Sequence, residues 1–159
     1  MTLFTREHLG PALLLELIPL ITADWNEVNA DKDIPFNLDL KTFIECEKLG
    51  VLRIFTARRD SELLGYSIFF VRHGVFCRDV LVASHVALFF KPEDRGSLPV
   101  RFVEWCDEQL RAEGVRMVSQ NSLVGHSMER VLKHLGYVPR ETVFVRDLNI
   151  ASRKIQESV

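Results

Sequence analysis

Lys91-Pro92-Glu93-Asp94-Arg95-Gly96-Ser97 separates the apolar run Val86-Ala87-Leu88-Phe89-Phe90 from the amphipathic run Pro99 to Leu110. The first run reads as a buried strand and the second as a helix. A strand that empties through a polar loop directly into a helix leaves the first N–H groups of that helix without intrahelical partners. They point outward, carry partial positive charge and suit a phosphate. Arg95 adds a cation, Gly96 a bare backbone that allows close approach, and Ser97 a hydroxyl. The amides of Gly96, Ser97 and Leu98 are the expected donors. Pro99 has no N–H to give.

Working outward, Gly114 stops the helix before a strand, Val115 to Ser119. A loop through Ser122 and Gly125 leads to a helix, Ser127 to Leu135, ended by Gly136. A last strand is expected from Thr142 to Leu148, and a polar tail over 151–159. Upstream, Leu3 to Arg6 reads as a short strand, and Gly10-Pro11 opens a helix with an apolar stripe of Leu13, Leu14, Leu17, Ile18, Ile21 and Trp25. Pro19 is expected to kink or divide that helix near Ile18. Asp39 reads as the N-cap of a helix from Leu40 to Leu49. Val51 to Ala57 and Leu63 to Val71 form a hairpin through Arg58 to Glu62, with Gly65 a bulge or a point of close approach. Phe76 to His85 is strand in part. This order predicts one α/β domain over 1–150: a mixed, mostly antiparallel twisted sheet flanked by helices.

The chain has 159 residues, 47% hydrophobic and 26% charged, the balance of a globular protein with one ordinary core. Its 20 Lys plus Arg against 22 Asp plus Glu provide no basic excess to attract nucleic acid. The apolar run Ala12 to Leu15 is too short to span a bilayer and no basic stretch precedes it, so no membrane partner and a cytoplasmic location are expected. Cys46, Cys77 and Cys106 have no zinc spacing, and the 5 histidines are scattered, so no metal is expected. Cys106 falls on the apolar face of its helix and reads as a core thiol.

The loop from Arg95, together with Leu135-Gly136-Tyr137, resembles the acyl-CoA-binding core of the GNAT N-acyltransferase superfamily, from about Val51 to Leu148. The family's loop runs Arg or Gln, two residues, Gly, one residue, then Gly or Ala. Arg95 matches its start, and Leu98 and Val100 stand at the small positions. Its later motif, Asn-x-x-Ala-x-x-x-Tyr-x-x-x-Gly-Phe, is matched by Gly136-Tyr137, with Gly125, Met128 and Leu132 at the Asn, Ala and Tyr positions. The resemblance implies acetyl-CoA as acyl donor, its pyrophosphate on Gly96 to Leu98 near Arg95. It also implies that the main chain of Phe89 and Phe90 receives the pantetheine arm along a splayed strand. Asn121, after the preceding strand, would bond pantetheine amides or cap a turn. The Tyr commonly proposed to protonate the thiolate is Leu132 here, which cannot do so. Compact members met in bacteriophage genomes have a last strand similar to Glu141 to Arg146, which implies host cytoplasm or a virion.

Where many members carry a basic Glu, this chain has Ala87. His85, two residues earlier, is expected on the same strand face as Ala87 and Phe89, and its imidazole titrates in the range a base for an amine needs. His126 is a weaker candidate. Asp31, Asp33, Asp39 and Glu45 would suit a cationic acceptor. Two readings follow. One is an acetyl-CoA-dependent N-acyltransferase acting by direct attack of a small-molecule or protein amine. The other is the same fold serving as a catalytically weak binding or structural protein, with a partner in an assembly such as a phage particle or a host protein.

Overall fold

A computed structural model of the chain describes residues 1–28, 34–123, 127–146 and 148. Five strands lie in the order β1 (Thr2–Glu7), β2 (Leu52–Arg59), β3 (Glu62–Gly74), β4 (Cys77–Phe90) and β5 (Met117–Ser119). The first three neighbouring pairs are antiparallel and β4–β5 is parallel, as a strand–helix–strand crossover requires. The helices are α1 (Pro11–Val28), α2 (Leu40–Lys48), α3 (Ser97–Ala112) and α4 (Ser127–His134).

Both faces of the sheet are covered. On one, Leu13 and Leu17 of α1 pack on Leu52, Ile54, Tyr66, Ile68 and Phe89, with Phe43 and Cys46 of α2 alongside. On the other, Phe102, Cys106 and Leu110 of α3 pack on Phe55, Phe69, Ala83 and Phe90. Phe102 is the hub of that side, its ring edge-on to Phe4 at 5.2 Å and to Phe90 at 5.3 Å. Strands buried on both faces explain why the sequence shows near-continuous apolar runs there instead of alternation.

Local chemistry shapes the connections. Asp39 caps α2 by accepting from the Thr42 amide at 3.1 Å. The β2–β3 turn is tighter than the five-residue segment expected. Only Asp60 and Ser61 lie between the strands, both with positive φ (48° and 73°), the twist that a two-residue hairpin favours. Gly65 is a point of close approach: a Cβ there would stand 2.6 Å from the Phe90 ring and 2.7 Å from the Phe89 carbonyl oxygen.

Three expectations are corrected. Of the kink or division expected at Pro19, division does not occur: α1 is one helix from Pro11 to Val28. The proline faces solvent, where water can serve the carbonyl that loses its amide partner. The part-strand expected over Phe76 to His85 and the strand Val86 to Phe90 are one long strand, β4, from Cys77 to Phe90, with Phe76 in the turn before it. Thr142 to Arg146 is not a strand and joins no sheet among the described residues, and Phe144 is 92% exposed. Its alternating composition suits a pleated surface, but strand preference is realised only against a neighbour. The tail over 151–159 lies outside the described residues.

Candidate active site

The pairing of β4 with β5 runs only from Val82–Met117 to Ser84–Ser119. Beyond Ser84, β4 continues for six residues to Phe90 while β5 has ended. Among the described residues no strand pairs that outer edge, so β4 and β5 open like a V toward the loop that enters α3. Asn121, exposed just past β5, stands at the open end.

The loop itself is held firmly. Lys91 bonds through its amide to the Leu64 carbonyl at 2.9 Å and through its ammonium to Glu62, while Asp94, in a 3₁₀ turn from Pro92 to Asp94, pairs with Arg59 at 2.8 Å. Gly96 then occupies the N-cap of α3 with φ 129° and ψ −127°, a backbone shape that glycine alone takes without strain. No side chain caps the helix, so the amides of its first turn keep their outward donors. Pro99 falls in that first turn, where a missing N–H costs no helical bond. Of the bulky residues at this cradle, Leu98 packs inward on the α3-side core, and the space beside Gly96 is open to 4 Å. Gly96 and Ser97 are exposed.

Arg95 is already engaged. Its Nη atoms donate to both oxygens of Glu27 at the end of α1, at 2.9 and 2.6 Å, and its Nε donates to the Phe90 carbonyl at 3.0 Å. Its guanidinium carbon lies 5.3 Å from the centre of the Phe89 ring. Arg95 thus ties the mouth of the α3 cradle to α1 across the end of β4.

Phe89 and Phe90 point to opposite faces, as alternation requires: Phe89 to the α1 side and Phe90 to the α3 side. His85 does not follow the same rule. Ile68 pairs with Ala87 but Phe69 pairs with His85, so Val86 is an extra residue in β4, a bulge. The bulge inverts the alternation. Ala87 and Phe89 face α1, whereas His85 faces α3 with Ala83, its ring 5.8 Å from the Phe69 ring. The expected shared face of His85 and Ala87 is therefore overturned, because a two-residue period survives only in an uninterrupted ladder. Among the described residues neither His85 ring nitrogen makes a well-formed hydrogen bond; burial pushes the imidazole down to about 4, and the nearby Ala87 main chain offsets only part of that. His126, Asp31, Asp33 and Gly125 lie outside the described residues.

The α1 face holds the polar pair that sequence reading missed. Asp24 of α1 is 8% exposed and accepts a hydrogen bond from the buried Tyr66 hydroxyl at 2.9 Å. Burial raises its carboxyl to about 6. Tyr66 opposes this through the hydrogen bond, Glu27 adds to it by repulsion, and Arg95 lowers it by attraction. Tyr66 is the register partner of Phe89, and their rings lie 6.4 Å apart. The signal was present in the spacing: Leu13, Leu17, Ile21 and Asp24 step along one helical face, and an acid on an apolar stripe is out of place. Asp39 is spent as a cap, and Glu45 lies within 4.0 Å of Lys41 at the surface.

Elsewhere the motif residues are structural. Leu132 is buried, and the Tyr137 amide bonds back to its carbonyl at 2.9 Å as α4 ends. The Tyr137 hydroxyl donates to Asp107 of α3 at 2.7 Å; burial raises both groups. Cys106 is buried, which raises its thiol. Of the arginines that would have to gather for nucleic acid, Arg53, Arg58, Arg59 and Arg95 are held in ion pairs.

No protein-family model and no curated protein matches the sequence. Solved structures do match over nearly the whole chain. A ribosomal-protein-alanine N-acetyltransferase from Brucella melitensis biovar Abortus superimposes with a TM-score of 0.75 at 12% identity, covering 94% of this chain and 99% of that one. An aminoglycoside acetyltransferase from an uncultured soil metagenomic sample, in complex with sisomicin, has a TM-score of 0.72 at 13% identity over 94% and 97%. A predicted acetyltransferase with acetyl-CoA from Clostridium acetobutylicum has a TM-score of 0.64 at 12% identity over 93% and 97%. With the crossover, the splayed β4–β5 pair and the loop into α3, these likenesses establish that the chain has the fold of the GNAT N-acyltransferase superfamily.

Proposed function

We propose that this protein is an acetyl-CoA-dependent N-acyltransferase acting on a primary amine. The observation that carries the reading is the open V between β4 and β5 facing the uncapped start of α3. The residues present fit the donor in two respects. The amides of Gly96, Ser97 and Leu98 offer a cradle for a diphosphate, with open space at Gly96. The free edge of β4 from His85 to Phe90 offers main-chain groups to an extended amide-bearing arm, as an added strand would use them.

The donor supplies a thioester, whose carbonyl carbon accepts a nucleophile. An amine held on the α1 face of β4 attacks that carbon; a C–N bond forms, the C–S bond breaks, and sulfur leaves with the electron pair. Holding the partners in line removes roughly 7–11 kcal/mol of barrier, the largest contribution available here. The leaving thiolate is stable enough to take its proton from water, so Leu132 at the usual Tyr position slows the reaction without forbidding it. His85 is poorly suited as base, because a buried ring that titrates at about 4 gains little from a proton near neutrality. The likenesses to acetyltransferases of aminoglycosides and of a ribosomal protein support an amine acceptor of either size class.

Calorimetric titration with acetyl-CoA, followed by thiol release in the presence of amines, tests the reading. Saturable binding and amine-dependent release are expected. Absence of both heat and thermal shift at millimolar acetyl-CoA would leave the fold as a binding module.

A further inference from the structure

We propose that Asp24, held by Tyr66, is the carboxylate that receives the amino group of a cationic acceptor and takes a proton from it. This rests on the acyl-transfer reading of the same cleft and assigns its acceptor side. Three observations carry it. First, the bulge at Val86 turns Ala87 and Phe89 of the unpaired β4 segment toward α1, so the face adjoining the cleft is the one on which Asp24 lies. Second, Tyr66 spans the layers there, packing on Phe89 below and donating to Asp24 above at 2.9 Å. Third, Asp24 has that phenol as its sole hydrogen-bond partner among the described residues, although it is nine-tenths buried. A buried carboxylate with one neutral donor is costly, and a purely structural contact to Tyr66 would be served by an uncharged amide. The charged groups facing it are Glu27 on its own helix and Arg95 from the α3 loop. The arrangement leaves Asp24 ionised at neutral pH yet basic enough to accept a proton, a tendency that burial explains.

The step balances as follows. An ammonium group arriving beside Asp24 transfers one proton to the carboxylate and becomes a free amine. Its lone pair then attacks the thioester carbon, the C–S bond breaks, and the second N–H proton goes through water to the departing sulfur. Asp24 returns its own proton to solvent. Tyr66 acts only through Asp24 and is a positioning residue.

The direct test needs no turnover: titration of the free protein with spermidine, cadaverine and lysine amide at pH 7.5 and 5.0. At least one amine should bind wild type, and that binding should weaken about tenfold or more in Asp24→Asn, the loss expected for one charge-assisted contact. Lowering the pH should weaken wild type by a similar factor and leave the variant unchanged. Tyr66→Phe should keep the binding and move its pH midpoint upward, since the phenol holds the carboxyl down. Thermal melts of each variant confirm folding. Failure of all three amines to bind, or equal affinity in Asp24→Asn, overturns the assignment. Asp24-dependent amine binding without any thiol release from acetyl-CoA would instead sustain the acceptor site and defeat the acyl-transfer reading.

Discussion

On either side of β4 lie two cores built by opposite rules. The α3 side is aromatic and dry, with Phe102 set among Phe4, Phe90 and Trp105, and its buried imidazole, His85, is left neutral with no hydrogen-bond partner among the described residues. The α1 side has an aliphatic floor of Leu13, Leu17 and Ile68 but admits Asp24, Tyr66 and the Arg95–Glu27 bridge at the end nearest the cleft. One face stores stability in aromatic packing; the other gives some of it up by burying a carboxylate beside a phenol. The single inserted residue Val86 decides which side chains of β4 belong to which face.

The comparison breaks most visibly at the hub of the dry side. Phe102→Ala should cost about 3–5 kcal/mol of unfolding free energy, read by denaturant melts, because the ring is fully buried among aromatics. A loss below about 1 kcal/mol would show that this core is far looser than its packing.

Asp24 and His85, one buried on each face, should then separate by pH. Asp24 is raised from 3.8 to about 6, so the native state holds its proton more tightly and stability falls as pH rises through that interval. His85 is lowered from 6.5 to about 4, so the unfolded state holds the proton more tightly and stability is lost as pH falls through that interval. Each shift is worth on the order of 3 kcal/mol, and between pH 4 and 6 they oppose each other. Asp24→Asn should therefore be more stable than wild type at pH 7 and sharply acid-sensitive below pH 6. His85→Leu should show the reverse slope, gaining stability as the pH is lowered from 6 toward 4. Melting temperature against pH for the three proteins checks both signs; parallel curves would remove the contrast.

Smaller effects sharpen the boundary between the faces. Gly65→Ala drives a methyl against the Phe90 ring and the Phe89 carbonyl oxygen, and should cost about 1–3 kcal/mol by overpacking. Gly96→Ala meets no neighbour, yet forces a side chain into a backbone shape that disfavours it. It should cost about 1–3 kcal/mol of strain, relieved by a shift of the loop. Acetyl-CoA affinity, read by calorimetry, should fall several-fold, and the strain itself should appear as a lower melting temperature of the unliganded protein. Unaltered affinity would place the diphosphate elsewhere.

Much of this was legible from local chemistry. The N-cap at Asp39, the stop at Gly114 and the strand–loop–helix passage through Lys91 to Ser97 are set by the conformational limits of a few neighbouring residues, and each appears where expected. The close approach at Gly65 was equally readable, since only an absent side chain explains a glycine within so apolar a strand. The last strand was misread for the complementary reason: Val143, Phe144 and Val145 have the right composition, but composition supplies no partner. Asp24 was overlooked because an acid on a helix is ordinarily solvated, and only the arrival of Tyr66 from a strand 42 positions away makes it a buried pair.

By itself, then, the sequence determined the order of elements, the flanking of a sheet by helices and the polar loop that opens into α3, because backbone preference and hydrophobic period act over a few residues. The tertiary structure alone decided that β4 and β5 part after Ser84, that a bulge sends His85 to the dry core, and that Arg95 reaches for Glu27. Those outcomes depend on ladder register and on contacts between distant segments, which exist only once the sheet has formed.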